Sequence, residues 1–141
     1  MSDGGLCRLV YVSRSRIPSG DPAAFEAEVA GILEAARQRN PTIGVTGALL
    51  FTGEGFAQYL EGPPAAVAEI YETISLDGRH ADLVILDFRA IERRAFPAFA
   101  MARVQPPSDG HLEIAAETEG GTMALEAIDT LVSAMKAHVG D

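Results

Sequence analysis

At 141 residues, nearly half of them apolar, the chain has the size of one domain with a real hydrophobic core. A formal net charge of −9 excludes a general nucleic-acid surface, because phosphates need clustered Lys and Arg. Cys7 is the only cysteine, no run approaches a membrane span, and the N-terminus lacks a basic n-region with an apolar run, so a cytoplasmic protein without internal disulfides is expected.

Residues Cys7–Ser13 alternate and are rich in Val and Leu, which reads as a first strand with Leu9 and Tyr11 on one face and Val10 and Val12 on the other. After a polar loop, Asp21 is a candidate N-cap and Pro22 a first helical residue. The helix carries Phe25, Val29, Ile32, Leu33 and Ala36 at helical spacing, and Asn40 extends the same stripe. Pro41 is expected to stop the helix, because a residue before proline avoids the helical region. Asn40 is then either an ordinary C-terminal asparagine or a buried polar group facing a ligand.

Gly44–Phe51 and Phe56–Glu61 read as strands two and three around a short Gly-containing hairpin loop. On the third strand Phe56, Gln58 and Leu60 share one face, and Ala57, Tyr59 and Glu61 the other; the pattern leaves open whether Gln58 or Tyr59 is the buried one. Gly62-Pro63-Pro64 opens a second helix with the stripe Val67, Ile70, Tyr71 and Ile74, ending near Asp77-Gly78. Leu83–Ile91 is almost wholly apolar, as in a strand buried on both faces. Arg89, Arg93 and Arg94 read as a solvated strand end, and Phe99–Val104 as a fifth strand carrying Met101. The order βαββαββ implies an α+β, ferredoxin-like mixed sheet with two helices on one face. Residues 6–104 form the compact unit and 105–141 a linker and helix. In that tail Thr122 is a candidate N-cap and Leu125, Ile128, Val132, Met135 and Val139 an apolar stripe.

Tyr11, Asn40 and Gln58 are polar residues in otherwise apolar patterns on three successive elements, and burying them is costly without partners. Something flat and polar held between those elements would satisfy them. Other chemistry is weakly encoded. His80, His111 and His138 make no metal-ligand spacing, there is no P-loop, and Ser13 and Ser15 lack a recognisable His partner. An acylphosphatase-like site would need a glycine-rich cradle after strand one, and Arg14 and Arg16 stand there without it.

The phrases RLVYVS around Tyr11, RNPTIGVTGALL from Arg39, FAQYLEG around Gln58, and RRAF followed by Met101 resemble the BLUF family, the bacterial sensors of blue light using FAD, from about Cys7 to Val104. The resemblance implies non-covalent FAD. Ile32, Leu49, Phe56 and Ile74 would wall the ring, Asn40 would pair with its pyrimidine edge, and Gln58 would bridge Tyr11 and the flavin. Asp77, Arg79 and His80 match positions near the flavin side chain and ring edge, with a surface histidine as the ordinary alternative for His80. It further implies that Tyr11 gives an electron and a proton through Gln58, that the glutamine ends in a changed hydrogen-bonding state, and that Met101 senses the change. The chain departs from the family's common pattern at Phe99, where many members have tryptophan, and at Arg39, which either pairs with a flavin carbonyl or points to solvent. The expected protein is a stand-alone photoreceptor and not an enzyme. It would signal through a separate downstream protein or through self-association, with no nucleic acid and no membrane. A non-photoactive flavin or small-ligand module of the same fold is the alternative.

Overall fold

A computed structural model describes residues 5–15, 20–51, 55–78, 80–104, 132–137 and 139–140. In chain order the elements are β1 (Leu6–Ser15), α1 (Pro22–Ile43), β2 (Thr46–Phe51), β3 (Gly55–Gly62), α2 (Pro64–Ser75), β4 (His80–Ile91), β5 (Ala102–Val104) and β6 (Val139–Gly140). Residues 132–137 are also helical. The sheet order is β4-β1-β3-β2-β5-β6. All pairings are antiparallel except β2 with β5, so the sheet is mixed and its first four strands have the ferredoxin-like order.

The sheet divides the core in two. One cluster gathers Leu9, Tyr11, Leu49, Phe56, Leu60 and Met101 with Val29, Leu33 and Ala36 of α1 and Val67, Ile70 and Ile74 of α2. The other holds Val10, Val12, Ala48, Leu50, Ala57, Tyr59 and Phe96 with Val132 and Met135. Period-two alternation along β1 and β3 therefore feeds two buried faces, not one buried and one wet. Gln58 and Tyr59 are both buried, which removes the choice between them. The helical stretch over 132–137 covers the sheet face opposite the two helices. Leu125 and Ile128 of the expected tail stripe lie outside the described residues, as do the linker and the tip of the β2–β3 hairpin. Val139 is in a strand paired with Val104 and not in the helix, because β5 offers it a free edge.

Helix α1 begins as its sequence indicates. Asp21 accepts from the N–H of Ala23 at 3.0 Å and of Ala24 at 3.3 Å, and Pro22 needs no partner in the first turn. Its end differs from the expectation. Proline does not stop it; the helix runs through Pro41 to Ile43, and Gly44, at φ 77°, is the left-handed C-cap whose N–H returns to the Asn40 carbonyl. Only glycine takes that conformation cheaply, so the true terminator lies four residues past Asn40. Asn40 is thus an interior position of the buried stripe Val29, Leu33, Ala36, Asn40.

Three other expectations change. Helix α2 ends at Ser75 with Leu76 as a right-handed cap, so Gly78 is not its stop. Strand β4 is not buried on both faces: it is the edge of the sheet, with Ile85 41% and Phe88 48% exposed. A run of apolar residues cannot tell a central strand from an edge one, because strand order is a tertiary property. Strand β5 is only three residues long, and Met101 immediately precedes it. The carbonyls of 99–101 are taken by other partners, described next.

Candidate functional site

The register of the sheet creates the centre of the site. Tyr11 lies directly across from Gln58 on β3, and Gln58 directly across from Leu49 on β2, so the three side chains stand in one row on the helix-covered face. The Tyr11 hydroxyl donates to Gln58 Oε1. Gln58 Nε2 in turn donates to the Met101 sulfur at 3.4 Å. Tyr11, Gln58 and Met101 are each at most 3% exposed. Burial, with Tyr71 and Asp77 adding to it and Arg39 opposing, pushes the Tyr11 phenol far above its usual range, so it stays protonated.

Asn40 is fully buried beside them. Its amide donates to the Ala100 carbonyl at 2.8 Å, and its own carbonyl oxygen accepts from Arg39 Nε at 3.0 Å. Arg39 is half-buried, and desolvation lowers its pKa. Leu49, Phe56 and Ile74 belong to the same core cluster, with Ile32 packed partly buried against it. His80 is buried and close to Tyr11 and Phe56, its ring centroid 4.3 Å from that of Phe56. It is therefore not a surface histidine. The His80 N–H reaches back to the Asp77 carbonyl at 3.1 Å, which closes the turn after α2. Arg79 lies outside the described residues. Every other expected site residue is on this one side of the sheet or at its rim.

Sequence reasoning missed several groups. Ser13 does have a histidine partner: its Oγ is 2.9 Å from His80 Nδ1, a pair separated by 67 positions in the chain. Ser13 is buried in β1, where the register against β4 is irregular, and the contact holds the His80 ring in place. Arg94 is no solvated strand end. It donates to Thr46 Oγ1, the Glu61 carbonyl and the Gly44 carbonyl. Glu61, fully buried, accepts from the N–H groups of Ala95 and Phe96 at 2.7 and 2.8 Å and from Thr46 Oγ1. This carboxylate ties the segment leading to Met101 onto the strand that carries Gln58. Its one signal in the sequence is a charged residue between Leu60 and Gly62 at the end of β3, a place where a polar residue is ordinarily solvent-exposed.

Among the described residues, no cluster of His, Cys, Asp or Glu could hold a metal ion, and no helix is long and apolar enough to cross a membrane.

Comparison with known proteins agrees with this geometry. The solved dark-state structure of BlrB, a BLUF protein, superposes with a TM-score of 0.71 at 32% identity, covering 96% of this chain and 98% of that one. The photoactivated adenylate cyclase subunit beta of Euglena longa is 34% identical over 96 residues, which is 68% of this chain and 11% of that protein. The blue light- and temperature-regulated antirepressor BluF of Escherichia coli is 42% identical over 81 residues, covering 57% of this chain and 19% of that protein. The chain thus spans about a tenth of the length of the cyclase subunits and a fifth of the antirepressor. The family model for sensors of blue light using FAD matches residues 6–102, and with the Tyr11–Gln58 pair at its centre the chain belongs to the BLUF family.

Proposed function

We propose that the chain is a blue-light photoreceptor in which residues 6–104 hold FAD between the helices and the sheet and residues 105–141 act as linker and helix. One observation carries this reading: a phenol, a reversible amide and a thioether are joined in series, Tyr11 to Gln58 to Met101, inside the core. The donor set suits a flavin. Asn40 and Gln58 each offer an amide donor and a carbonyl acceptor, Arg39 adds a half-buried guanidinium, and Ile32, Leu49, Phe56 and Ile74 supply apolar walls. Gln58 spends its N–H on a sulfur, a weak acceptor, and so has a better bond to gain from a ligand oxygen or nitrogen. Asn40 and Arg39 would hold the pyrimidine edge, Gln58 the edge next to Tyr11, and Asp77, Arg79 and His80 the side-chain end.

When bound, FAD supplies the absorption of blue light and an excited state that accepts an electron. Tyr11 is the electron and proton donor. A phenol that has lost an electron is strongly acidic, and its proton already points at Gln58 Oε1. Gln58 could take that proton at oxygen while giving one from nitrogen to the reduced flavin, and run the same path backwards, which makes it a relay as well as a bridge. Once electron and proton have returned to Tyr11, the amide remains rotated or as its tautomer. Rotation exchanges two ends of nearly equal size, so the packed core need not expand to admit the second state. Met101 sulfur, which now meets an N–H, would then meet an oxygen. Such an element is bistable and can bias a larger equilibrium. No net bond is made or broken, so the unit performs no catalysis of its own. Its signal leaves through a separate downstream protein or a change in self-association, and with a single, buried, free cysteine we place it in the cytoplasm.

The test is absorption under blue light of the purified, FAD-loaded chain. Its flavin bands should move to the red and return in darkness. Tyr11→Phe, which keeps the ring and removes the hydroxyl, should retain flavin and lose the red-shifted state. Absence of any shift in the unsubstituted chain overturns the photoreceptor reading, and an unaltered photocycle in Tyr11→Phe removes Tyr11 from the mechanism.

A further inference from the structure

Three consecutive carbonyls approach β5, and each is held by a different residue. The Phe99 carbonyl accepts from the Gly47 N–H at 3.1 Å, the Ala100 carbonyl from Asn40 Nδ2 at 2.8 Å, and the Met101 carbonyl from Arg37 Nε at 2.9 Å. Two of the three donors belong to α1. A third link lies on the same side: Arg103 makes a two-pronged ion pair with Glu26 of α1 at 2.9 and 2.8 Å. Residues 26 and 37 are eleven apart, three helical turns, and so share a face. The same face of α1 therefore grips the chain on both sides of the residue whose sulfur meets Gln58.

Arg37 and Glu26 are both exposed and belong to neither core cluster; they differ in partner, Glu26 pairing with a side chain and Arg37 with a backbone carbonyl. Arg37 Nε bonds the carbonyl of Met101, one of the two residues, with Tyr11, that a reversal of the Gln58 amide disturbs directly. When the sulfur is offered an oxygen in place of an N–H, the contact turns from attractive to repulsive and the side chain must shift. Its backbone is free to follow only as far as the Arg37 bond allows.

We propose that Arg37 is a positioning residue of the light response: through the Met101 carbonyl it conveys the rearrangement of Gln58 to helix α1. The inference rests on the photoreceptor reading above and adds to it a route and an output element. Helix α1 then moves or loosens with the Met101 peptide, and the Glu26–Arg103 pair carries the same displacement two residues further along the chain.

Two measurements on the full FAD-loaded chain test it. The first is infrared spectroscopy in the dark with carbonyl-labelled methionine. Arg37→Ala should raise one labelled carbonyl band, as expected when a charged donor is removed, and Arg37→Lys should restore part of the shift. The second is the light-minus-dark difference in hydrogen exchange over residues 22–43. It should be present in the unsubstituted chain, fall about fivefold in Arg37→Ala, the low end of ordinary allosteric couplings, and recover in part in Arg37→Lys. The red shift of the flavin should persist in both variants. A merely structural staple would raise α1 exchange equally in light and dark and leave the difference intact; that result, or an unmoved methionine band, overturns the role of Arg37. Loss of the red shift in Arg37→Ala alone overturns it as well, by placing Arg37 in the photochemical centre. No red shift in the unsubstituted chain instead overturns the photoreceptor reading itself. If Arg37→Ala does not fold, Arg37→Lys and Arg37→Gln carry the same two readouts.

Discussion

Asn40 is one side chain with a structural duty in the fold and a proposed one toward the flavin. It was legible as a polar residue on an apolar helical stripe, but its ordinary explanation, a cap before proline, fails because Gly44 does the capping. Its amide instead holds the Ala100 carbonyl. Asn40→Ala should therefore act on both stability and ligand. Leaving a buried carbonyl unpaired costs about 1–3 kcal/mol, read as a fall in the urea midpoint. With Asn40 on the flavin's pyrimidine edge, as proposed, the same substitution should weaken FAD binding by about tenfold or more, read by titration of flavin fluorescence. Helical content should hardly change. If FAD affinity is unaltered while stability drops, Asn40 is only a staple for the segment before β5. Gln58 makes the complementary point. Its chemistry was visible, but its partners were decided by register: a shift of one residue would turn it to the opposite face and away from Tyr11.

At the scale of elements, α1 is the part that assembles the site, and its start is the part most readable from sequence. Asp21 before Pro22 forms the cap that the residue types indicate. Asp21→Ala should cost about 1 kcal/mol and lower the midpoint of thermal unfolding by roughly 3–5 °C. An unchanged midpoint would mean that tertiary packing alone holds the first turn. Gly47 in β2 carries a different constraint. A Cβ there would lie 2.0 Å from the Tyr59 carbonyl oxygen, so only glycine lets β2 and β3 approach as they do. In β4 the apolar run misled: among the described residues it is the terminal strand of the sheet, where the layers packed on the sheet reach least. Within the described chain, Ile85 and Phe88 stay partly open because the sheet ends there.

For the molecule as a whole, stability rests on two cores back to back. Val132 and Met135 close the second one, each burial contributing roughly 1.5–3 kcal/mol. Val132→Asp should bury a charge or open that face. Increased binding of a hydrophobic dye and a clear drop in the urea midpoint are expected, and neither change would mean that the 132–137 contact carries no stability. A pH effect belongs to this scale too. Burial first, then the Glu61 charge in one case and Tyr71 and Asp77 in the other, raise the phenols of Tyr59 and Tyr11. A raised folded pKa means that the native state keeps protons which the unfolded chain gives up above about pH 10. This stability is fully present below that pH and is lost as pH rises beyond it. Urea midpoints should be flat from about pH 8 to 9 and fall at about pH 10.5, with a shallower fall in Tyr59→Phe.

The sequence by itself determined the element order as far as β5, the helix and strand periodicities, the α1 cap and the identity of the polar residues in the core. All of these depend on local geometry and on patterns within one segment. Family-level phrases around Tyr11, Asn40, Gln58 and Met101 named the chemistry. Tertiary structure alone decided the rest. It set which strand is an edge, that β3 is buried on both sides, that Ser13 meets His80, and that Glu61, Arg94 and Arg37 hold the segment carrying Met101. Each of those outcomes joins residues far apart in the chain, and no local pattern records which distant carbonyl a given arginine or carboxylate will find when the layers close.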